Sequence, residues 1–286
     1  MTETPLRWQI GDVRITRIAE GQFDLPSEML FPTSDATELA AMDWLKPHFF
    51  NADGTLTLSI HALLIETPSL RIVVDTCMGN DKVRQYTGNL LATDFLDRFA
   101  TSGISPDLVD VVLCTHLHSD HVGWNTTRIG DRWVPTFPNA RYLFGADEFA
   151  YWKDNPQTDD DRALFADSLL PIVDAGLADF VASDHRLCAE VSLIPTPGHT
   201  PGHVSVIIES QGQRAMITGD ATHHPCQWTR TEWASLADVD AAGSTDTRQR
   251  LCQELADQPV LVIGTHYPAP TAGHVVTDAA GFRFVA

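Results

Sequence analysis

The chain has 286 residues, 43% hydrophobic and 20% charged, a balance that sustains a well-buried core and excludes a disordered or fibrous protein. Nineteen Lys and Arg against 38 Asp and Glu leave a formal charge of -19, which repels phosphate backbones and anionic headgroups and argues against nucleic-acid or membrane partners. No apolar run approaches the roughly 18–20 residues of a bilayer span, Met1-Thr2-Glu3-Thr4-Pro5 has no leader character, and five cysteines without a CxxC pair predict reduced thiols in a cytoplasm.

In chain order, residues 13–18, 59–65 and Arg71–Val74 read as strands, rich in β-branched side chains and separated by Gly, Pro and polar turns. Residues 91–102 read as a helix, with Leu91, Phe95, Leu96 and Phe99 at helical spacing and Gly103 as the stop. A buried-type strand at 110–114 and another at 141–144 precede helices over about 146–153 and 159–176. The second half repeats this grammar with strands at 191–194, 204–209, 215–218 and 259–263 and a helix at about 245–257. Long loops at 23–34 and 225–232 carry bulky residues and read as binding walls. Strands alternating with helices predict a layered α/β architecture, taken as one domain over residues 1–286. Glu148 and the acidic run at 159–161 are expected on a solvated face, the run charging a helix N-terminus.

The chemistry concentrates after the strand at 110–114, where Thr115-His116-Leu117-His118-Ser119-Asp120-His121 places four metal-ligand residue types within six positions. In an extended segment His116 and His118 point the same way, and a following turn lets Asp120 and His121 face the same volume. Imidazole nitrogen suits zinc, and a carboxylate beside it adds the charge that holds a second ion. Three further apolar strands end in a ligand-type residue, at Thr196-Pro197-Gly198-His199, Thr218-Gly219-Asp220 and Gly264-Thr265-His266. A core histidine explains one such end; it does not explain all of them.

This order of motifs, from Val73-Val74-Asp75-Thr76 to His266, resembles the metallo-β-lactamase fold superfamily. The resemblance implies an αβ/βα sandwich of two mixed sheets flanked by helices. It implies two divalent ions, taken as Zn2+: His116, His118 and His199 on one, Asp120, His121 and His266 on the other, and Asp220 bridging. A hydroxide held by the two cations then attacks an electrophilic carbonyl or phosphoryl centre, and Asp120 shuttles a proton to the leaving group. His-Val-Gly-Trp-Asn after the motif and the Gly-Thr-His-Tyr-Pro ending are most similar to the branch of N-acyl-homoserine lactonases and methyl parathion hydrolase-like enzymes. The expected activity is therefore hydrolysis of lactones or carboxylic esters, with phosphotriesters as further substrates. The alternatives are a persulfide dioxygenase-like mononuclear iron oxidoreductase and a glyoxalase II-like thioesterase, which share the same ligand motif. A non-catalytic relative is disfavoured because no ligand position is missing, and a homodimer is expected by analogy alone.

The remaining candidates divide by context. Asp75 is expected to orient a ligand histidine by hydrogen bond rather than to touch metal, and His203 to support a ligand from behind or stabilise its loop rather than to ligate. His61 reads as a core residue, whereas His48, His185 and His274 have no supporting context. His223 and His224, just past Asp220, either line a pocket or are solvated. Trp124, Trp228, His223, Met78 and Phe49 are taken as pocket residues for an apolar substrate, and Tyr267 as a hydrogen-bond donor to an oxyanion. Cys77 and Cys226 lie near the ligand loops, with a small buried apolar role as the default.

Overall fold

Short runs of Val, Ile and Leu set the strands, and a computed structural model that describes residues 5–85, 88–279 and 281–286 divides them between two compact units. One comprises the chain up to Gly21 together with Ile60–Ser183, the other Gln22–Ser59 with Asp184–Ala286. Residues 1–4, on which the expectation of a missing leader rested, lie outside the described residues. No helix among the described residues is long and apolar enough to cross a membrane.

The first unit holds β1 (Arg7–Ile10), β2 (Val13–Pro26) as far as Gly21, β3 (Thr55–Glu66) from Ile60, β4 (Arg71–Val74), β5 (Val111–Leu113), β6 (Thr126–Ile129), β7 (Arg132–Pro135), β8 (Arg141–Gly145) and β9 (Ala178–Val181). Its sheet has the order β1-β2-β3-β4-β5-β8-β9, and β6 and β7 form a separate hairpin. The pairs β1–β2 and β3–β4 are antiparallel, whereas β4, β5, β8 and β9 run parallel. Parallel strands are covered on both faces, which is why Val111-Val112-Leu113 is buried at every position. The core gathers Phe95, Phe99, Trp124, Phe137, Tyr142 and Phe144.

The helix expected over about 146–153 is present as Ala146–Asp154, whereas the other two depart from their expected course. The helix at 91–102 contracts to Phe95–Ala100, because Leu91 O accepts from Asp81 N and Thr93 N donates to Asn80 Oδ1, tying 91–93 to a neighbouring turn. The helix expected over 159–176 opens on a Thr158/Asp161 capping box and then widens into a π-turn at Phe165–Leu169 before closing over Leu170–Asp174. Pro171 is the cause: it has no N–H for the Asp167 carbonyl. That carbonyl accepts instead from Lys82 Nζ at 3.0 Å and from the Thr126 hydroxyl. Arg84 grips the Asp167 carboxylate through two hydrogen bonds of 2.8 and 2.9 Å.

The second unit holds β10 (Val191–Pro195), β11 (Val204–Ser210), β12 (Gln213–Ile217), β13 (Val260–Ile263), β14 (Ala272–Asp278) and β15 (Gly281–Val285), hydrogen-bonded in that order. Only β12 and β13 are parallel, and the helix Ala241–Leu255 lies between them in sequence. Ser244, Thr247, Arg248, Leu251, Cys252 and Leu255 form its buried stripe at helical spacing. The helix begins four residues before the expected position 245, where the Asp240 carboxylate caps Gly243 N and no apolar periodicity marks the start. The stretch at 23–34 is only partly a loop, since β2 runs to Pro26 and a short helix follows over Ser27–Leu30. Pro225–Trp228 is a buried 3-10 turn. Strands β1, β6, β7, β9, β14 and β15 had no counterpart in the sequence reading. Mixed sheets carrying helices are the expected fold class, and all five cysteines are free thiols.

Close backbone approach fixes one functional loop. Gly123 N donates to Cys77 O and Trp124 N to Thr76 O, both at 2.8 Å, and a Cβ on Gly123 would stand 1.9 Å from the Met78 carbonyl. Gly123→Ala is therefore expected to cost on the order of 3 kcal/mol through overpacking against rigid backbone. Urea denaturation checks this, and a change under about 0.5 kcal/mol would show that the contact relaxes freely.

Candidate metal centre

In the first unit Val74 stands opposite Leu113 on parallel strands, so the residues that follow β4 and β5 leave the sheet at the same end. Asp75 comes directly off β4 with φ 57°, a left-handed conformation that Asp tolerates better than most residues. Its carboxylate accepts from Thr115 N at 2.8 Å and Thr115 Oγ1 at 2.9 Å, and lies 2.9 Å from His121 Nδ1. An ionised carboxylate only accepts, so the His121 proton sits on Nδ1 and the Nε2 lone pair faces away, 3.6 Å from Asp120 Oδ1. The Thr115 hydroxyl, donating to Asp75, accepts in turn from His116 Nδ1 at 3.1 Å. His116 Nε2 then faces His118 Nδ1 at 3.1 Å, and the His116 and His121 rings lie 3.9 Å apart. The extended-then-turn geometry expected of this motif is present: Asp120 and His121 lie on the short helix Ser119–Val122.

Glu148 is not on a solvated face. It is 1% exposed, and its Oε1 accepts from Leu117 N at 3.2 Å and from Trp152 Nε1 at 2.8 Å. Trp152 also meets the His118 ring edge-on at 5.2 Å. Glu148 and Trp152, one turn apart on the helix Ala146–Asp154, thus pin the backbone between the two histidines from one side. The i,i+4 spacing beside Phe149 was the available signal for a buried face.

In the second unit Ile217 stands opposite Ile263, and Asp220 and His266 each follow by three residues. His266 Nδ1 donates to Ser59 O at 3.0 Å, and its Nε2 lies 3.1 Å from Asp220 Oδ1. The other carboxylate oxygen of Asp220 lies 3.2 Å from His223 Nε2 and 3.4 Å from His199 Nε2. Asp220 N donates to His203 Nε2 at 2.8 Å, so the His203 proton sits on Nδ1, facing the Thr196 hydroxyl and carbonyl. His199 Nδ1 pairs with Asp238 Oδ1 at 2.8 Å, a partner that nothing in Ala237-Asp238-Val239-Asp240 singles out. Burial works against the Asp238 carboxylate, but the His199 hydrogen bond and the neighbouring cationic groups outweigh it and hold the group at about 2. Ligand-type atoms of His199, His223 and Asp238 lie within 4.8 Å of one another. This density of nitrogen and oxygen donors without thiolate suits a divalent ion of the zinc type.

A family model described as metallo-beta-lactamase superfamily matches residues 56–266. The chain belongs to that superfamily. Among curated relatives it is 25% identical over 182 residues to an N-acyl homoserine lactonase of Bacillus thuringiensis, an alignment covering 59% of this chain and 66% of that protein. The chain thus spans slightly under two thirds of that relative's length. It is also 31% identical over 119 residues to a probable metallo-hydrolase of Methanocaldococcus jannaschii, covering 42% and 40% of the two chains. In structure it is similar to the hydrolase AbOPH of the beta-lactamase superfamily, with TM-score 0.83, 24% identity and coverage of 100% and 98%. It is likewise similar to AidC, a dizinc quorum-quenching lactonase solved with a product, with TM-score 0.81, 22% identity and coverage of 98% and 96%. At these identities the structural likeness establishes the metallo-beta-lactamase fold.

Four of the expected pocket residues, Trp124, Met78, Phe49 and Trp228, are buried. Trp124 stacks on Phe95 at 5.4 Å and donates its Nε1–H to Glu20 at 2.6 Å, inside the first core. Met78 is buried, its backbone N–H donating to the same carboxylate at 2.7 Å. Phe49, Trp228 and Tyr267 belong to the second core. The Tyr267 hydroxyl accepts from Trp228 Nε1 and pairs with Thr222 Oγ1, both at 2.8 Å, and burial pushes its ionisation up. That hydroxyl is committed to the core rather than to an oxyanion. His223 is buried against Asp220 and, edge-on, against Phe31; His61 is buried as expected. His224 turns away from Asp220: its Nε2–H donates to Phe49 O at 2.9 Å and its Nδ1 accepts from Cys226 N at 3.2 Å.

Burial pushes His224 down to about 4, below its ordinary value near 6.5. The unfolded chain therefore binds the proton first as pH falls. The stability contributed by neutral His224 is complete above about pH 6.5 and is lost progressively toward pH 4, a contribution of roughly 3 kcal/mol at most. Denaturation of wild type and His224→Gln between pH 7 and pH 4 reads it out. The variant is expected to lose less stability over that interval, and identical slopes would contradict the assignment.

Proposed function

We propose that this chain is a dinuclear metal-dependent hydrolase of lactones or carboxylic esters, with phosphotriesters as further substrates, and that the two units work as one catalytic domain. The observation that carries the reading is the Asp220 carboxylate ringed by the Nε2 atoms of His199, His223 and His266 within 3.4 Å, in a chain of this superfamily. His116, His118 and His199 would hold one ion, Asp120, His121 and His266 the other, and Asp220 both. Zinc is the assigned metal. When bound, the ions supply Lewis acidity and activate the attacking water.

The chain's own residues do the rest. Asp75 and Asp238 keep protons on the Nδ1 atoms of His121 and His199, so that both imidazoles offer Nε2 as neutral donors. Asp120, partly exposed beside His121, takes up a proton and passes it to the leaving oxygen. His223 lines the reaction volume from the Asp220 side, its ring parallel to that of His266 at 5.8 Å. The substrate class draws on the relatives: curated relatives are N-acyl homoserine lactonases, and AidC was solved with N-hexanoyl-L-homoserine.

The test is hydrolysis of acyl-homoserine lactones, simple lactones, aryl esters and phosphotriesters by protein of measured metal content. Two divalent ions per chain and lactone or ester turnover are expected. One iron per chain with no hydrolysis would instead place the protein with the persulfide dioxygenases. His116→Ala and Asp220→Ala are each expected to lose bound metal and at least roughly 100-fold in rate, while His185→Ala loses neither. Wild-type rates in the Asp220 variant would remove it from the centre.

A further inference from the structure

The support behind His199 differs in kind from that behind His121. Asp75 is held by neutral donors, the Thr115 amide and hydroxyl. Asp238 is held by a cation: its Oδ2 lies 3.5 Å from Arg248 Nη1, and both side chains are 0% exposed. Arg248 comes from the buried stripe of the helix Ala241–Leu255 and is fixed by donating Nε–H to Thr231 O at 2.7 Å. The carboxylate also accepts from Ser235 N at 3.1 Å. The backbone around it is stitched to the histidine loop, since Val239 N donates to His199 O and Asp240 N to Gly198 O, both at 2.9 Å. Gly198, at φ 131°, lets this approach occur: a Cβ there would lie 2.2 Å from Ser244 N.

We propose that Asp238 and Arg248 form a positioning pair that fixes His199 as its Nδ1–H tautomer and thereby sets the affinity of the metal position His199 serves. The proposal rests on the metal-binding reading above. With Oδ2 turned to the Arg248 guanidinium and the Ser235 amide, Oδ1 is the oxygen left to accept from His199 Nδ1, and Nε2 is thereby presented toward Asp220.

Asp238→Asn separates proton placement from shape. Arg248 claims the amide oxygen, the amide nitrogen turns to His199 Nδ1 as a donor, and the imidazole proton is driven to Nε2, where it opposes metal binding. In metal-free protein labelled at histidine nitrogen, long-range proton–nitrogen correlation spectra are expected to show Nδ1–H for His199 in wild type and Nε2–H in Asp238→Asn. Competition with a chelator, using zinc, is expected to show one ion bound about 10–100-fold more weakly in the variant and the other changed less than about twofold. Arg248→Lys, which keeps the charge, is expected to retain the wild-type tautomer. A merely structural role shifts the melting temperature and leaves the proton where it was. An Nε2–H tautomer in wild type, or an unchanged tautomer with unchanged affinities in Asp238→Asn, overturns the pair. Failure of wild type to bind zinc overturns the dinuclear reading instead, and the tautomer spectra then still decide whether Asp238 places the proton.

Discussion

A buried imidazole offers one lone pair and one N–H, and a metal ligand must present the lone pair. In both units the remote nitrogen of the ligand-type histidines other than His118 is engaged by a scaffold oxygen. His116 Nδ1 meets the Thr115 hydroxyl, His121 Nδ1 Asp75, His199 Nδ1 Asp238, and His266 Nδ1 the Ser59 carbonyl. Each partner accepts, so in each histidine Nδ1 donates and Nε2 is the nitrogen left to face the other ligand-type groups. Proton placement is thus decided by hydrogen bonds within the scaffold, and much of the surrounding structure exists to deliver those acceptors.

The delivery follows from parallel pairing. Where two strands run parallel and in register, their C-terminal ends open at one level, and the residues just beyond share a small volume. Asp75 and His116 follow β4 and β5 in this way, and Asp220 and His266 follow β12 and β13. Antiparallel pairs place consecutive ends on opposite sides of a sheet. The all-apolar strands that look featureless are what keep these ends level, because a slip of one residue would reverse every side chain.

This explains what the sequence discloses. A ligand-type residue at the end of an apolar strand is a local pattern, so His116, His118, Asp120, His121, His199, Asp220 and His266 stand out without a structure. Their supports do not. Asp238 reaches His199 across 39 residues and Glu148 reaches Leu117 across 31, and neither has a neighbour in sequence that marks its role. Asp75 was legible because it ends an apolar strand. The aromatic residues misled for a related reason. Trp and Tyr combine an apolar body with a polar handle, and the pairing of Trp228 with Tyr267 shows that the handle was satisfied inside the core. In the helix expected at 159–176, Pro171 was visible, but its effect depended on Lys82 and Thr126, distant in sequence, donating to the freed carbonyl.

The two carboxylate supports are electrostatically unequal. Asp75 accepts from the Thr115 amide and hydroxyl beside His121, whereas Asp238 faces His199 on one oxygen and the Arg248 guanidinium on the other. In a low-dielectric interior an uncompensated carboxylate pushes electron density onto the imidazole it holds, and a guanidinium withdraws that push. An asymmetry of this kind needs no difference in ligand type. It comes from which donor, a threonine or an arginine, the fold has placed behind each carboxylate.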